Sequence, residues 1–113
     1  MKEVKVRFSS DALAMFDYVT KRSVNSKKEM TMLKAILRNI ELLKQKPDLG
    51  QSITRRLIPK EYIRKYQVKN LYRIELPDFF RMLYTLNDEE IEIIAFVLDI
   101  IDHKKYNKKF RYR

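Results

Sequence analysis

The residues "IEIIAFVLDII", spanning 91–101, form the one long apolar run of the chain, interrupted only by Glu92 and Asp99. A strand with one solvated face alternates polar and apolar residues, and this stretch does not, so it reads as a central strand covered on both faces. It is too short to span a bilayer. Other strands must flank it. "EVKVRFS" alternates Val4, Val6 and Phe8 with Lys5 and Arg7, the period of a half-buried strand. "NLYRIEL" puts Tyr72, Ile74 and Leu76 on one face and Leu71, Arg73 and Glu75 on the other. Pro77 and Asp78 turn the chain into "FFRMLYTL", where Arg81 faces opposite to Phe80, Met82 and Tyr84. "NDEE" is then the hairpin turn that leads into the central strand.

Helical spacing fills the space between the first strand and these three. Ser9 or Ser10, followed by Asp11, opens a helix whose stripe is Leu13, Phe16 and Val19, ending near Lys21. Ser26 with Glu29 fits a capping box, and Met30, Leu33, Ile36, Leu37, Ile40 and Leu43 recur until Pro47 and Gly50 stop the segment. The expected order is β, α, α, β, β, β with a short helix from Asp102. That is an α+β fold, a helical hairpin packed on an antiparallel-rich sheet. A length of 113 residues suits a single domain over 1–113.

Charge narrows the partners. The chain has 25 Lys and Arg against 15 Asp and Glu, a formal charge of +10, which favours RNA, DNA or an acidic protein. An anionic membrane surface would exert the same pull, but "MKEVKVRF" lacks the apolar stretch of a signal peptide, so a cytoplasmic protein off the membrane is expected. With no cysteine and one histidine there is no disulfide framework, thiolate site or histidine-rich zinc site. Asp88, Glu89, Glu90 and Glu92 read as a solvated turn, and neither metal nor cofactor is expected.

The cations are clustered. Arg55, Arg56, Lys60, Arg64, Lys65, Lys69 and Arg73 face a single acid, Glu61, and the segment from His103 holds Lys104, Lys105, Lys108, Lys109, Arg111 and Arg113 with Tyr106, Phe110, Tyr112 and no acid. Cations interleaved with aromatics suit RNA, since cations hold phosphates while rings stack bases. Two readings stand for Arg73 and Arg81: they converge across the turn, or each is a solvated face residue or pairs with Glu75. Two stand for His103 as well. It is a surface residue starting a helix capped by Asp102, or an imidazole placed to move a proton.

"NLYRIELPDFFRMLYTL" and "EEIEIIAFVLDIIDHKKY" resemble the RelE/ParE superfamily of toxins from toxin–antitoxin pairs, most of all its RelE-type archaeal and bacterial members. The pattern is a Y-[RK]-I strand, a short turn, a [YF]-R-x-[LIV]-Y strand, a hydrophobic strand and a closing basic and aromatic segment. It covers residues 60–113, and the first half only in its order of elements. The resemblance implies a metal-independent endonuclease that enters the ribosome, cuts mRNA and so inhibits translation, together with a cognate acidic antitoxin. It implies Arg81 on the scissile phosphate and Arg73 beside it, with His103 transferring a proton and Tyr106 as stacker or auxiliary acid. Lys60, Lys65, Lys69, Lys104, Lys105, Lys108, Lys109 and Arg111 would hold RNA and ribosome, and the cations beyond Tyr106 would be mainly grip. Glu75 departs from relatives that carry a second lysine there. It either serves as the base or neutralises the site of a protein that binds without cutting. The alternatives are a ParE-like poison of DNA gyrase and a basic nucleic-acid or protein-binding module that has lost catalysis.

Overall fold

A computed structural model describes residues 2–111. In chain order it contains β1 (Glu3–Phe8), α1 (Ser10–Ser23), α2 (Lys27–Gln45), β2 (Gln51–Ser52), α3 (Lys60–Tyr66), β3 (Tyr72–Leu76), β4 (Phe80–Asp88), β5 (Glu92–Ile101) and α4 (His103–Phe110). The expected α+β order is present. β2 and α3 are additions, lying where the sequence suggests only a basic loop. The sheet order is β1-β5-β4-β3-β2, with β1 parallel to β5 and the other pairs antiparallel. Among the described residues no helix is long and apolar enough to cross a membrane.

The N-terminal helices form as their caps require. Ser9 Oγ accepts from the Ala12 N–H at 3.0 Å and donates to the Leu98 carbonyl at 2.6 Å, so the cap of α1 is also tied to β5. Ser26 Oγ accepts from the Glu29 N–H at 3.3 Å and starts α2. The two helices cover one face of the sheet. Ala12, Val19, Met32, Ile36 and Leu43 meet Ile74, Met82, Tyr84, Ala95, Val97 and Ile100 in the larger core.

The other face is not open. Leu71, Leu83, Leu98 and Ile101 form a second core with Ile58, Tyr62 and Val68 from the α3 region and with Tyr106 and Phe110 of α4. The face of β3 that carries Leu71, Arg73 and Glu75 is therefore covered at one end and polar at the other. β5 is thus apolar on both faces because it has a layer on each.

A bulge links that second layer to the sheet. Leu83 pairs with Asp99 and Tyr84 with Val97, which leaves Leu98 as an extra residue on β5. Asp99 is 7% exposed, and a carboxylate so buried needs partners. Tyr62 Oη donates to it at 2.7 Å from α3, and Lys109 Nζ lies 3.4 Å away from α4. Burial first, then Asp99, pushes the Tyr62 phenol far above its ordinary value, so it stays a donor. Burial opposes the charge on Lys109, but Glu61 and Asp99 outweigh it and hold the ammonium above its usual range.

These contacts fasten Lys109 and Phe110 into the fold, while Lys108 stays exposed on the same helix. Phe110→Ala is expected to cost about 3–5 kcal/mol in urea unfolding, the usual loss for a buried ring. Lys108→Ala, on the exposed side of the same helix, should stay within about 0.5 kcal/mol of wild type.

Candidate active site

β3 and β4 are joined by a tight turn, and their register pairs Glu75 with Arg81. On its other side Arg81 pairs with Ile101, two residues before α4 begins. Side chains at 73, 75 and 81 therefore emerge on the face that α4 crosses. Asp102 caps α4, its Oδ1 accepting from the Lys105 N–H at 2.8 Å, and this fixes where His103 and Tyr106 stand.

Tyr106 is the floor of the site. Its side chain is buried at 2% exposure, and its ring stacks on Phe110 with centroids 4.2 Å apart. The Arg81 guanidinium lies 4.9 Å from the Tyr106 centroid and that of Arg73 lies 5.5 Å away. Arg73 Nη1 donates to Tyr106 Oη at 2.7 Å, and its Nη2 donates to Gln51 of β2. Arg81 Nη1 donates to the Phe79 carbonyl at 2.8 Å. Glu75 bridges the pair, 3.1 Å from Arg73 Nε and 3.5 Å from Arg81 Nε, while its own side chain remains 59% exposed.

Both readings of the arginines thus hold together: they converge, and they pair with Glu75. The arrangement is a partly buried, preorganised cationic cleft suited to an anion with several oxygens, which guanidinium forks can meet in register. Tyr106 has its ring against Phe110 and the guanidinium groups and its hydroxyl engaged by Arg73, so stacking on a base is closed to it here. His103 is exposed, and its ring meets Phe79 edge-on at 5.8 Å between centroids. Phe79 thereby connects His103 to Arg81.

The cations expected to hold RNA divide. Lys60, Lys105, Lys108, Lys109 and Arg111 line one groove between α3 and α4, with Arg64 and Glu61. Lys65 instead turns to Asp11 of α1 at 3.3 Å. Lys69 is exposed ahead of β3 and Lys104 is exposed on α4. Tyr112 and Arg113 lie outside the described residues. The acids of the β4–β5 turn do not act as a group: Asp88 pairs with Lys2, and Glu92 with Lys5 at 3.2 Å.

Sequence reasoning missed Gln51 and Phe79. A signal for Gln51 was Gly50, which does more than stop a helix. A Cβ there would sit 2.9 Å from the Arg73 carbonyl oxygen and 3.0 Å from the Tyr84 ring, so only glycine lets β2 lie this close to β3. The Gly50 N–H donates to Tyr84 Oη at 2.9 Å, and that hydroxyl donates to the Pro47 carbonyl at 2.7 Å. Phe79 was signalled by the doublet Phe79–Phe80, because strand alternation lets only one of two neighbours face a given core.

No protein-family model matches the chain, nor does any curated protein sequence. Among solved structures, a YoeB/ParE toxin from Agrobacterium tumefaciens superposes with a TM-score of 0.61 and 12% identity, over 88% of this chain and 98% of that one. The chain has the fold of that toxin. At this identity the likeness is one of fold.

The ring and hydroxyl of Tyr106 make separable contributions. Tyr106→Ala removes the surface that both guanidinium groups share and should cost about 3–5 kcal/mol in urea unfolding. Tyr106→Phe keeps the ring, removes the hydroxyl that accepts from Arg73, and should cost about 0.5–1.5 kcal/mol. Equal losses would show that the hydroxyl, not the ring, supports the cleft.

Proposed function

We propose that the chain is the toxin of a type II toxin–antitoxin pair, of the RelE-like branch: an mRNA endonuclease that acts on the ribosome, without a metal, and inhibits translation. The observation that carries this reading is the convergence of Arg73 and Arg81 over Tyr106, with Glu75 between them and His103 at the start of the same helix. The fold supports it. In the reaction a ribose 2′-oxygen attacks the adjacent phosphorus, the bond to the 5′-oxygen breaks, and negative charge builds on the phosphoryl oxygens. Guanidinium groups already in place lower that barrier because nothing must reorganise to meet the charge. Arg81 Nε makes no hydrogen bond among the described residues, and a phosphate oxygen displacing Glu75 would satisfy that buried donor. His103 takes the 2′ proton or delivers one to the leaving oxygen.

The partners follow from charge. The ribosome and mRNA engage the groove between α3 and α4, which places the protein at work in the cytoplasm. An acidic antitoxin neutralises the +10 chain and folds in part as it binds. One observation favours a competing reading. Glu75 occupies both arginines, as it would in a module that binds without cutting. A gyrase poison needs no phosphodiester site, so the paired guanidinium groups favour cleavage over that alternative.

Primer extension on mRNA in a translating extract, followed by single-turnover rates, decides between them. Arg81→Ala should slow cleavage by about 10²-fold or more, and Arg81→Lys should recover only part, lacking the planar fork. His103→Gln should lower the rate and remove one limb of its pH profile. Glu75→Gln slows cleavage if Glu75 is the base, and leaves it equal or faster if Glu75 only neutralises. Ribosome binding with no cleavage by the wild-type chain would establish the binding module.

Ribosome affinity should fall steeply with salt as held counterions are released. Lys105→Gln and Lys108→Gln should each reduce the slope of log K against log salt by about 1. Affinity that ignores salt would reject the groove as a polyanion surface.

A further inference from the structure

The geometry points to Phe79 as the platform on which the base beside the scissile phosphate stacks. The inference rests on the cleavage reading above and adds a residue that contacts the substrate. Phe79 is 72% exposed, an unusual setting for a phenyl ring. Its neighbours in sequence explain the exposure: Phe80 packs toward the larger core, and Arg81 joins Tyr106 on the opposite face. The turn leaves Phe79 outside both cores. It does so at a cost, because Asp78 and Phe79 have φ of 58° and 62°. Aspartate tolerates the left-handed region, but a bulky residue rarely adopts it. Strain of this kind persists where the surrounding structure holds it, and here it aims an apolar ring into solvent.

What surrounds the ring identifies its occupant. The Phe79 carbonyl accepts from Arg81 Nη1 at 2.8 Å, so one residue carries both the exposed ring and the brace of the phosphate-holding arginine. Its ring meets the His103 imidazole edge-on. The site's other aromatics, Tyr106 and Phe110, are buried. A base attached to a phosphate held by Arg81 has Phe79 as an open phenyl face available to it. Single-stranded RNA is bound by this combination of cations and exposed rings, whereas an anchor for a protein partner sits within an apolar surround. Stacking reads overlap area, so purines should be preferred mildly at that position.

The test uses ribosomes programmed with mRNA that carries 2-aminopurine at single positions of the A-site codon, with a 2′-deoxy sugar blocking cleavage. The wild-type chain and Phe79→Tyr should quench one of these bases. Phe79→Leu, apolar but without a π-face, should not, and neither should Phe79→Gly, which adopts left-handed φ freely and so keeps the turn. On cleavable mRNA the Leu and Gly variants should raise the apparent KM by about 10-fold, in line with the loss of one stacked base. Normal quenching and KM in Phe79→Leu would overturn the platform while leaving the endonuclease reading intact. So would a loss confined to antitoxin binding. A wild-type chain that neither binds programmed ribosomes nor cleaves would remove both readings together.

Discussion

β5 is apolar on both faces, and the need to cover it twice brings the site into being. The α1–α2 hairpin covers one face, which leaves Leu98, Ile101 and their neighbours Leu71 and Leu83 to be buried by something else. α3 and α4 do this. Only Asp102 separates β5 from α4, so the helix cannot travel and must fold back over β4. Tyr106 and Phe110 lie four apart, a spacing that puts both on one helical face toward the sheet. The place where that face runs out is the place where Arg73, Glu75 and Arg81 begin. The cleft is the polar margin of the second core, and its rigidity is borrowed from that core.

Two guanidinium groups sharing one phenol ring would repel each other in a partly dry setting, where charges are screened less than in water. Contacts that offset this include the Tyr106 ring, the Phe79 carbonyl and the Glu75 carboxylate. The first two are fixed parts of the fold. Glu75 is largely exposed and able to leave, so on the proposed cleavage reading an incoming phosphate replaces one anion with another without reorganising the arginines. At the far end of α4 the Asp99, Tyr62 and Lys109 contacts do the opposite, since a buried carboxylate cannot lose its partners cheaply. One end of the helix is locked and the other holds an exchangeable anion.

The strands and the helical hairpin were legible because each repeats its period several times. β2 was not, with two residues that offer no period. α3 was hidden by its charge: in "KEYIRKY" only Tyr62 is buried, so no stripe forms and the segment looks like a basic loop. The meeting of Arg73, Glu75 and Arg81 could be anticipated from alternation about a tight turn. The burial of Tyr106 could not, because it depends on the direction α4 takes, although Tyr106 and Phe110 at a four-residue spacing carried the hint. The fastening of Lys109 was hidden for a similar reason. Its partner Asp99 faces it only because of a bulge, which no alternation pattern shows.

The two positive surfaces have different reach. Within the cleft Glu75 offsets part of the arginine charge, so its field is short and selective. The groove between α3 and α4 holds six cations against Glu61 alone, and even there Glu61 is taken by Lys109. A field of that kind extends over about a Debye length, near 8 Å at physiological salt, and raises encounter rates without choosing an orientation. On the proposed cleavage reading, orientation comes from the braced guanidinium of Arg81, the ring of Phe79 and the imidazole beside it. On that reading attraction is spread over the exposed cations of α3 and α4, while selectivity is confined to the cleft at the margin of the second core and the turn beside it.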